Sequence, residues 1–268
     1  LGSRLASGKL SKAEAHTLVA RDGQSLPDAW REAGLNPDLM GPDDVLLEAS
    51  CFVELHVEQG RGLADVGHPV AIATAVRPHG RWCAEFTGQG NHAGTTLIPD
   101  RHDPVVPMAQ TILAAREAAE REGCVTTVGR INVEPGGTNV IASAATMWLD
   151  CRAEESQTVT KVVEDIQQAS ETAADKQGCQ VVWTRESWTD RTAFDLRARM
   201  LQILGEDIPQ LSTGAGHDAA TLATTMPTGM LFVRNPTGAS HCPAESASDA
   251  DCEAGAEALQ TVLEELVK

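Results

Sequence analysis

Residues 51–62 read CFVELHVEQGRG, and the fold is decided by how that stretch is interpreted. Phe52, Val53 and Leu55 make an apolar run that carries His56 to its end, after which the chain turns through Glu58, Gln59 and Gly60. A short apolar run bounded by turn residues is a buried strand. The arrangement recurs far downstream, where the apolar run 230–233 leads into a loop, GASHCPAE, that holds His241. Open α/β sheets build their sites at the carboxyl ends of strands, so the two imidazoles are expected to converge as half of a metal centre. Taken alone, His56 has a plainer reading as a structural or surface histidine. Its neighbours Glu54, Glu58 and Gln59 favour ligation, because outer carboxylates orient a ligating ring. Two histidines still fall short of a catalytic zinc, which takes three protein ligands, and a two-metal site needs a bridging carboxylate as well.

Outward from that stretch, 268 residues suit one or two domains with a real core. The charge balance of 21 basic against 38 acidic residues gives −17, which argues against nucleic acid and against an anionic membrane surface as partners. No apolar run approaches transmembrane length, and no signal peptide is read at the start. Seven cysteines are scattered without a C-x-x-C pair, a pattern of reduced thiols in a cytoplasmic protein. Cys242, beside His241, has a nucleophile reading, but no base or oxyanion turn accompanies it, and a core or loop thiol is the default.

In chain order, residues 11–21 open with a Ser11/Glu14 capping box and are expected to be helical. A second helix is expected over 27–33, and a loop over 36–45. The His56 strand and another over 70–76 follow, and Pro78 and Gly80 mark a break. Beyond it the pattern predicts a strand (81–87), a helix (104–122), strands over 125–133 and 139–151 joined by PGGT, a helix (156–176) and a strand (179–184). That order, β-α-β-β-α-β, is a ferredoxin-like split βαβ sandwich with a free sheet face and edge. An α/β rhythm then returns, with a helix over 194–204, a strand from Leu211, a helix after GAGHD, the 230–233 strand and a closing helix over 249–267. The fold class is therefore α/β: a catalytic-type domain in two segments (1–76 and 189–268) with a ferredoxin-like domain (77–188) inserted between them.

Further motifs carry candidate chemistry. GQGNHAGTT places His92 in a glycine-flanked turn, either a plain polar loop or an imidazole presented to a developing oxyanion. Asn139 and Arg152, thirteen residues apart on what reads as one strand, can grip a substrate carboxylate, since guanidinium pairs with that group bidentately. By itself Arg152 reads first as a surface salt bridge. GAGHD (214–218) offers backbone N–H groups at a helix start, a natural anion cradle.

Together and in this order, VELHVEQG, GNHAGTT, PGGTNVI with Asp150-Cys151-Arg152, GAGHDA and VRNPTGASHCPAE resemble the allantoate amidohydrolase and N-carbamoyl-L-amino-acid hydrolase family, over essentially the whole chain. These are dinuclear-metal amidohydrolases related to β-ureidopropionase and to zinc aminoacylases and carboxypeptidases, and VRNPTGASHCPAE points to the allantoate-type branch. The resemblance implies two divalent metal ions, zinc or manganese with cobalt or nickel also suited, and His56 and His241 as metal ligands. It implies that Gln59, Asn139, Arg152, Gly216 and His217 contact a small ureido or N-acyl acid. His92 would reach across a homodimer interface, formed through the inserted domain, to stabilise the tetrahedral intermediate. In the family a first ligand histidine, a bridging aspartate and a catalytic glutamate precede a Gly-Ser-Arg segment that here is Gly2-Ser3-Arg4. The chain is thus expected to lack an N-terminal segment and to be inactive alone. A second reading is a non-catalytic dimerisation and ligand-binding module.

Overall fold

The computed structural model describes residues 1–20 and 22–268. The chain divides into two compact units, Leu1–Val76 with Thr192–Lys268 and, between them, Arg77–Arg191.

The first unit begins with short helices, α1 (Gly2–Ala6), α2 (Lys12–Thr17), α3 (Leu26–Glu32) and α4 (Asp44–Leu47). The capping box forms as read: the Ser11 side chain accepts from the Glu14 backbone, and the Glu14 carboxylate takes the Ser11 N–H. The helix expected over 11–21 stops at Thr17, because Leu18 turns extended and Val19 bridges to Ser25; Arg21 lies outside the described residues. Residues 36–45 are less irregular than expected. Asn36 caps a 3₁₀ turn, Pro37–Leu39, and Asp43 caps α4 with its side chain.

Strand β1 (Phe52–Val57), helix α5 (Gly62–Val66) and strand β2 (Val70–Val76) complete this segment. After the inserted unit come β9 (Thr192–Ala193), α8 (Arg197–Leu204), β10 (Gln210–Thr213), α9 (Asp218–Leu222), β11 (Thr228–Val233) and α10 (Asp249–Leu266). The helix expected from Phe194 starts three residues later, since residues 192–193 pair with β2 instead. The sheet order is β1-β11-β2-β10; β1 runs parallel to β11, with His56 opposite Phe232, while β2 is antiparallel to β11.

Alternation along β1 gives its two faces different tasks. Phe52 packs with Leu63, Ala219, Met230 and Phe232 on the side of α9, whereas Val53 and Leu55 join Leu231, Met200 and Val262 on the side of α8 and α10. Glu54 and His56, in phase with Phe52, therefore face α9. Helix α10 sits so close that a Cβ on Gly255 would meet Val233 Cγ2 at 2.5 Å, so only glycine permits this approach.

The inserted unit contains β3 (His79–Thr87), β4 (Asn91–His92), α6 (Val105–Glu122), β5 (Val125–Glu134), β6 (Val140–Ile141), β7 (Ala144–Arg152), α7 (Ser156–Lys176) and β8 (Gln180–Thr189). Its main sheet, β5-β7-β3-β8, is antiparallel throughout, the split βαβ arrangement. The stripe Val159, Val162, Val163 and Ile166 of α7 packs with Leu149, Cys151 and Trp82 from the sheet and with Ala115 and Ala118 of α6. A second cluster joins Met108 to Ala84, Phe86, Ala145 and Met147. Two expectations change. The last strand runs on past Thr184 to Thr189, paired with β3 on both sides of a bulge at Glu186. The strand expected over 139–151 is two: residues 140–141 leave the main sheet to pair with β4, and Ser143 N–H returns to the Glu134 carbonyl. Asn139 is therefore not on the Arg152 strand. No helix among the described residues is long and apolar enough to cross a membrane.

Candidate metal and substrate site

Period-two alternation puts Glu54 and His56 on one face of β1, and α9 brings His217 over that face as its N-cap residue. The imidazoles of His56 and His217 meet edge to face, with centroids 4.7 Å apart, and Phe232 flanks His217 at 6.0 Å. One ligand atom from each of Glu54, His56 and His217 lies within 4.8 Å of the other two. Glu54 Oε1 stands 3.5 Å from His217 Nδ1, and its Oε2 accepts the Ala219 N–H at 2.6 Å. The carboxylate thus ties β1 to the start of α9. Burial pushes the Glu54 carboxyl up, but the His217 and Ala219 hydrogen bonds and the two imidazoles outweigh it and hold the group below the ordinary glutamate range.

The nitrogens have definite roles. His56 Nδ1 donates to the Val57 carbonyl at 2.9 Å, which leaves a lone pair on Nε2. His217 is 98% buried at its side chain, and its Nε2 is the one buried side-chain N or O among the described residues with no partner. An orphaned ring nitrogen beside a second imidazole and a carboxylate is the donor set of a cation site, so these residues fit a metal.

Glu58 does something else. Its oxygens accept the Gly62 and Leu63 N–H groups at 2.7 and 2.8 Å, capping α5. The sequence reading of Glu58 as a carboxylate orienting His56 is corrected on this point; Glu54 is the carboxylate at the imidazoles. Gln59 instead reaches the other histidine loop. Its amide donates to Ser240 Oγ at 3.0 Å and lies 3.2 Å from His241 Nε2.

The His241 loop is built around Asn235, which is fully buried. Asn235 Nδ2 donates to the Ala239 carbonyl, while its Oδ1 accepts from the Thr237 and Gly238 backbones and the Thr237 hydroxyl. Glu245 clamps the far side, accepting from Ser240 Oγ and the His241 N–H. His241 has φ +55°, a left-handed conformation that a non-glycine residue adopts only when its surroundings impose it. His241 is not one of the three clustered residues; its contact with Gln59 is what links it to the end of β1. Gly216, just before His217, has open space where a side chain would be.

The inserted unit holds the other candidates. His92 on β4 faces Val140, and Ala93 N–H donates to the Asn139 carbonyl, so His92 and Asn139 share one small ribbon. Gly88 lets that ribbon start where it does, since a Cβ there would lie 2.1 Å from the His102 carbonyl oxygen. His92 is exposed; its Nδ1 accepts the Gly94 N–H at 3.1 Å, which puts the ring proton on Nε2 as a donor. Arg152 is half-buried and bound bidentately by Asp150, at 2.6 and 2.9 Å, with Arg81 on the same carboxylate at 3.2 Å. The structure accordingly pairs Arg152 as an ion pair and separates it from Asn139 in strand terms. Sequence reasoning named Glu54 as a carboxylate beside His56 but did not foresee its contact with His217. The signal was present in the E-x-H spacing, which puts both side chains on one face of any strand.

Comparison with known proteins adds to this geometry. The sequence profile of peptidase family M20/M25/M40 matches residues 38–265. An N-carbamoyl-L-amino acid amidohydrolase of Geobacillus stearothermophilus is 36% identical over 269 residues, covering 97% of this chain and 65% of the relative. An allantoate amidohydrolase of Escherichia coli K12 is 27% identical over 277 residues, covering 99% of this chain and 66% of the relative. The crystal structure of a hydantoinase/carbamoylase-family amidase from Burkholderia vietnamiensis superposes with a TM-score of 0.81 at 25% identity, covering 97% of this chain and 64% of that one. The chain thus spans about 65% of the length of the curated relatives it matches.

Proposed function

Because the chain belongs to peptidase family M20/M25/M40, we propose that it is part of a metal-dependent amidohydrolase that cleaves linear C–N bonds of ureido or N-carbamoyl acids. Allantoate and N-carbamoyl-L-amino acids are the substrate class, and ammonia is released, with carbon dioxide where the bond belongs to a carbamoyl group. The observation that carries this reading is the cluster of Glu54, His56 and the orphaned His217 Nε2 at the carboxyl end of β1. Divalent cations, zinc or manganese with cobalt or nickel also suited, would supply Lewis-acid polarisation of the scissile carbonyl.

The residues then take the following parts. His56 and His241 hold metal, His56 through the Nε2 that its bond to Val57 leaves open. Gln59, beside His241, Gly216 and His217 line the substrate. Arg152 and Asn139 take the substrate carboxylate, with Asp150 holding the guanidinium plane in one orientation. His92, with its proton on Nε2, donates to the oxyanion that forms as the carbonyl is attacked. The inserted unit serves as lid and homodimer interface, and the protein works in the cytoplasm, where its seven unbridged cysteines stay reduced.

Among the described residues the cluster offers one carboxylate, and both its oxygens are engaged. This reading therefore gives the chain a share of the catalytic site, without a bridging carboxylate or general base, and no turnover by itself. The test is zinc binding by calorimetry to the chain and to its His56→Ala and His241→Ala variants, alongside ammonia release from allantoate and N-carbamoyl amino acids. Weaker zinc binding in both variants and no ammonia from the chain alone are expected. Zinc binding unchanged by either substitution overturns the ligand assignment, and turnover by the chain alone overturns the shared site.

A further inference from the structure

Two consecutive peptide groups after His92 are each held at both ends. In the first, the Ala93 N–H donates to the Asn139 carbonyl at 3.0 Å, and the His92 carbonyl accepts the Thr96 N–H and hydroxyl at 3.2 and 2.9 Å. In the second, the Ala93 carbonyl accepts from Arg101 Nη2 at 2.7 Å, and the Gly94 N–H donates to His92 Nδ1 at 3.1 Å. Arg101 Nε donates to the Thr96 carbonyl as well, at 3.1 Å. A half-buried guanidinium is thus spent on two main-chain oxygens of an exposed turn. It is delivered from a fixed base. A 3₁₀ turn, Ile98–Asp100, ends at Arg101, and His102 bridges back to Gln89 at the root of the same loop.

The peptide between Ala93 and Gly94 is trans, so its C=O and N–H point to opposite sides of one rigid plane. A donor fixed on the Ala93 oxygen therefore aims the Gly94 N–H the other way, at His92 Nδ1. That bond occupies Nδ1 as an acceptor and leaves the ring hydrogen on Nε2. The approach is close: a Cβ on Gly94 would stand 3.2 Å from His92 Cε1. We propose that Arg101 is a positioning residue, which acts through the 93–94 peptide to hold the His92 imidazole so that Nε2–H is the hydrogen the ring presents. A guanidinium suits this task because its planar fork spans two acceptors at once, whereas an ammonium on a flexible stem is a point charge. A donor oriented before substrate arrives needs no reorganisation when charge develops. That this Nε2–H meets an oxyanion rests on the function proposed above; the clamp itself stands on hydrogen bonds within the inserted unit.

Long-range ¹H–¹⁵N correlation spectra of the chain at pH 8, above the ordinary imidazole pKa of about 6.5, read the ring directly, with the His92 signals assigned from their loss in His92→Gln. The wild type is expected to show Nε2–H and a bare Nδ1. In Arg101→Ala the ring is expected to become a mixture of both tautomers. Exchange of the Gly94 amide should quicken by about tenfold or more, while the amides of β3 and β7 keep their protection. Arg101→Lys is expected to fall between the two. A ring that is mainly Nδ1–H in the wild type overturns the proposal, as does an unchanged ring in a folded Arg101→Ala. Protection lost across β3 and β7 together overturns it too, by making Arg101 a support of the whole sheet. If Arg101→Ala does not fold, Arg101→Lys decides, and a wild-type ring and Gly94 amide in that variant overturn the clamp. A chain that shows the clamp but takes up no zinc keeps Arg101 in this role and loses the metal reading.

Discussion

Replacing Glu58 by glutamine distinguishes a helix cap from a metal-orienting carboxylate. In the structure Glu58 is 9% exposed and receives two N–H groups, from Gly62 and Leu63, at 2.7 and 2.8 Å. Glutamine keeps one acceptor oxygen and turns an N–H₂ toward the second donor, so one charge-assisted bond is lost. Such a bond contributes roughly 1.5–3 kcal/mol, and removing a negative charge from a helix N-terminus costs roughly 0.3–1 kcal/mol more. The sum is about 2–4 kcal/mol, lost locally at the start of α5. Since each ~1.4 kcal/mol is a factor of ten in an opening equilibrium, exchange protection of the Gly62 and Leu63 amides should fall about 30–700-fold. Amide hydrogen exchange of the metal-free chain, followed at those two residues, measures it without assuming that the two units unfold together. Protection within about threefold of wild type at both amides would refute the cap, because the opening free energy would then have changed by less than about 0.7 kcal/mol. A loss that appears only after a divalent metal is added would refute it differently, by making Glu58 part of the metal's surroundings.

Two other outcomes follow from the same reasoning. Burial pushes the Asp150 carboxyl up, but Arg152 and Arg81 outweigh that and hold it below its ordinary value. A depressed carboxylate stabilises the folded state at pH values above its unfolded pKa of about 3.9 and loses that contribution as pH falls through the lower folded value. The urea midpoint of the wild type should therefore exceed that of Asp150→Asn from pH 7 down to about 5, and the gap should shrink below about pH 4; a constant gap would show that the pair does not act through charge. Asn235→Ala removes four hydrogen bonds that shape the His241 loop. At about 1 kcal/mol each, offset by partial solvation, stability should drop by about 2–4 kcal/mol, and protease should cut between residues 234 and 245. Wild-type resistance there would show that Glu245 alone holds the loop.

Much of this protein could be read along the chain because strand and helix periodicities are local. The apolar run ending at His56, the stripe 159, 162, 163 and 166 and the Ser11 capping box each depend on residues within one or two turns of one another. The six-element order of the inserted unit also followed, since its strands and helices succeed one another as they are written. Where local pattern was overruled, a distant partner did it. Residues 140–141 left a continuous apolar stretch because residues 91–92 were there to pair with them, and residues 192–193 joined β2 before α8 began.

The site shows the same division more sharply. Sequence alone determined that His56 lies near the end of a strand, that Glu54 shares its face, and that His217 opens a helix; the strand expected to be buried is an edge strand only partly covered. Sequence could not determine which histidine meets which. That depended on α9 folding back over the sheet face, where Ala219 and Leu63 pack against Phe232, so that His217 reaches His56 from 161 residues away while His241 is held by Gln59. Burial of apolar surface drives that docking without regard to sequence separation, and so only the folded chain decided which polar atoms would be left facing one another.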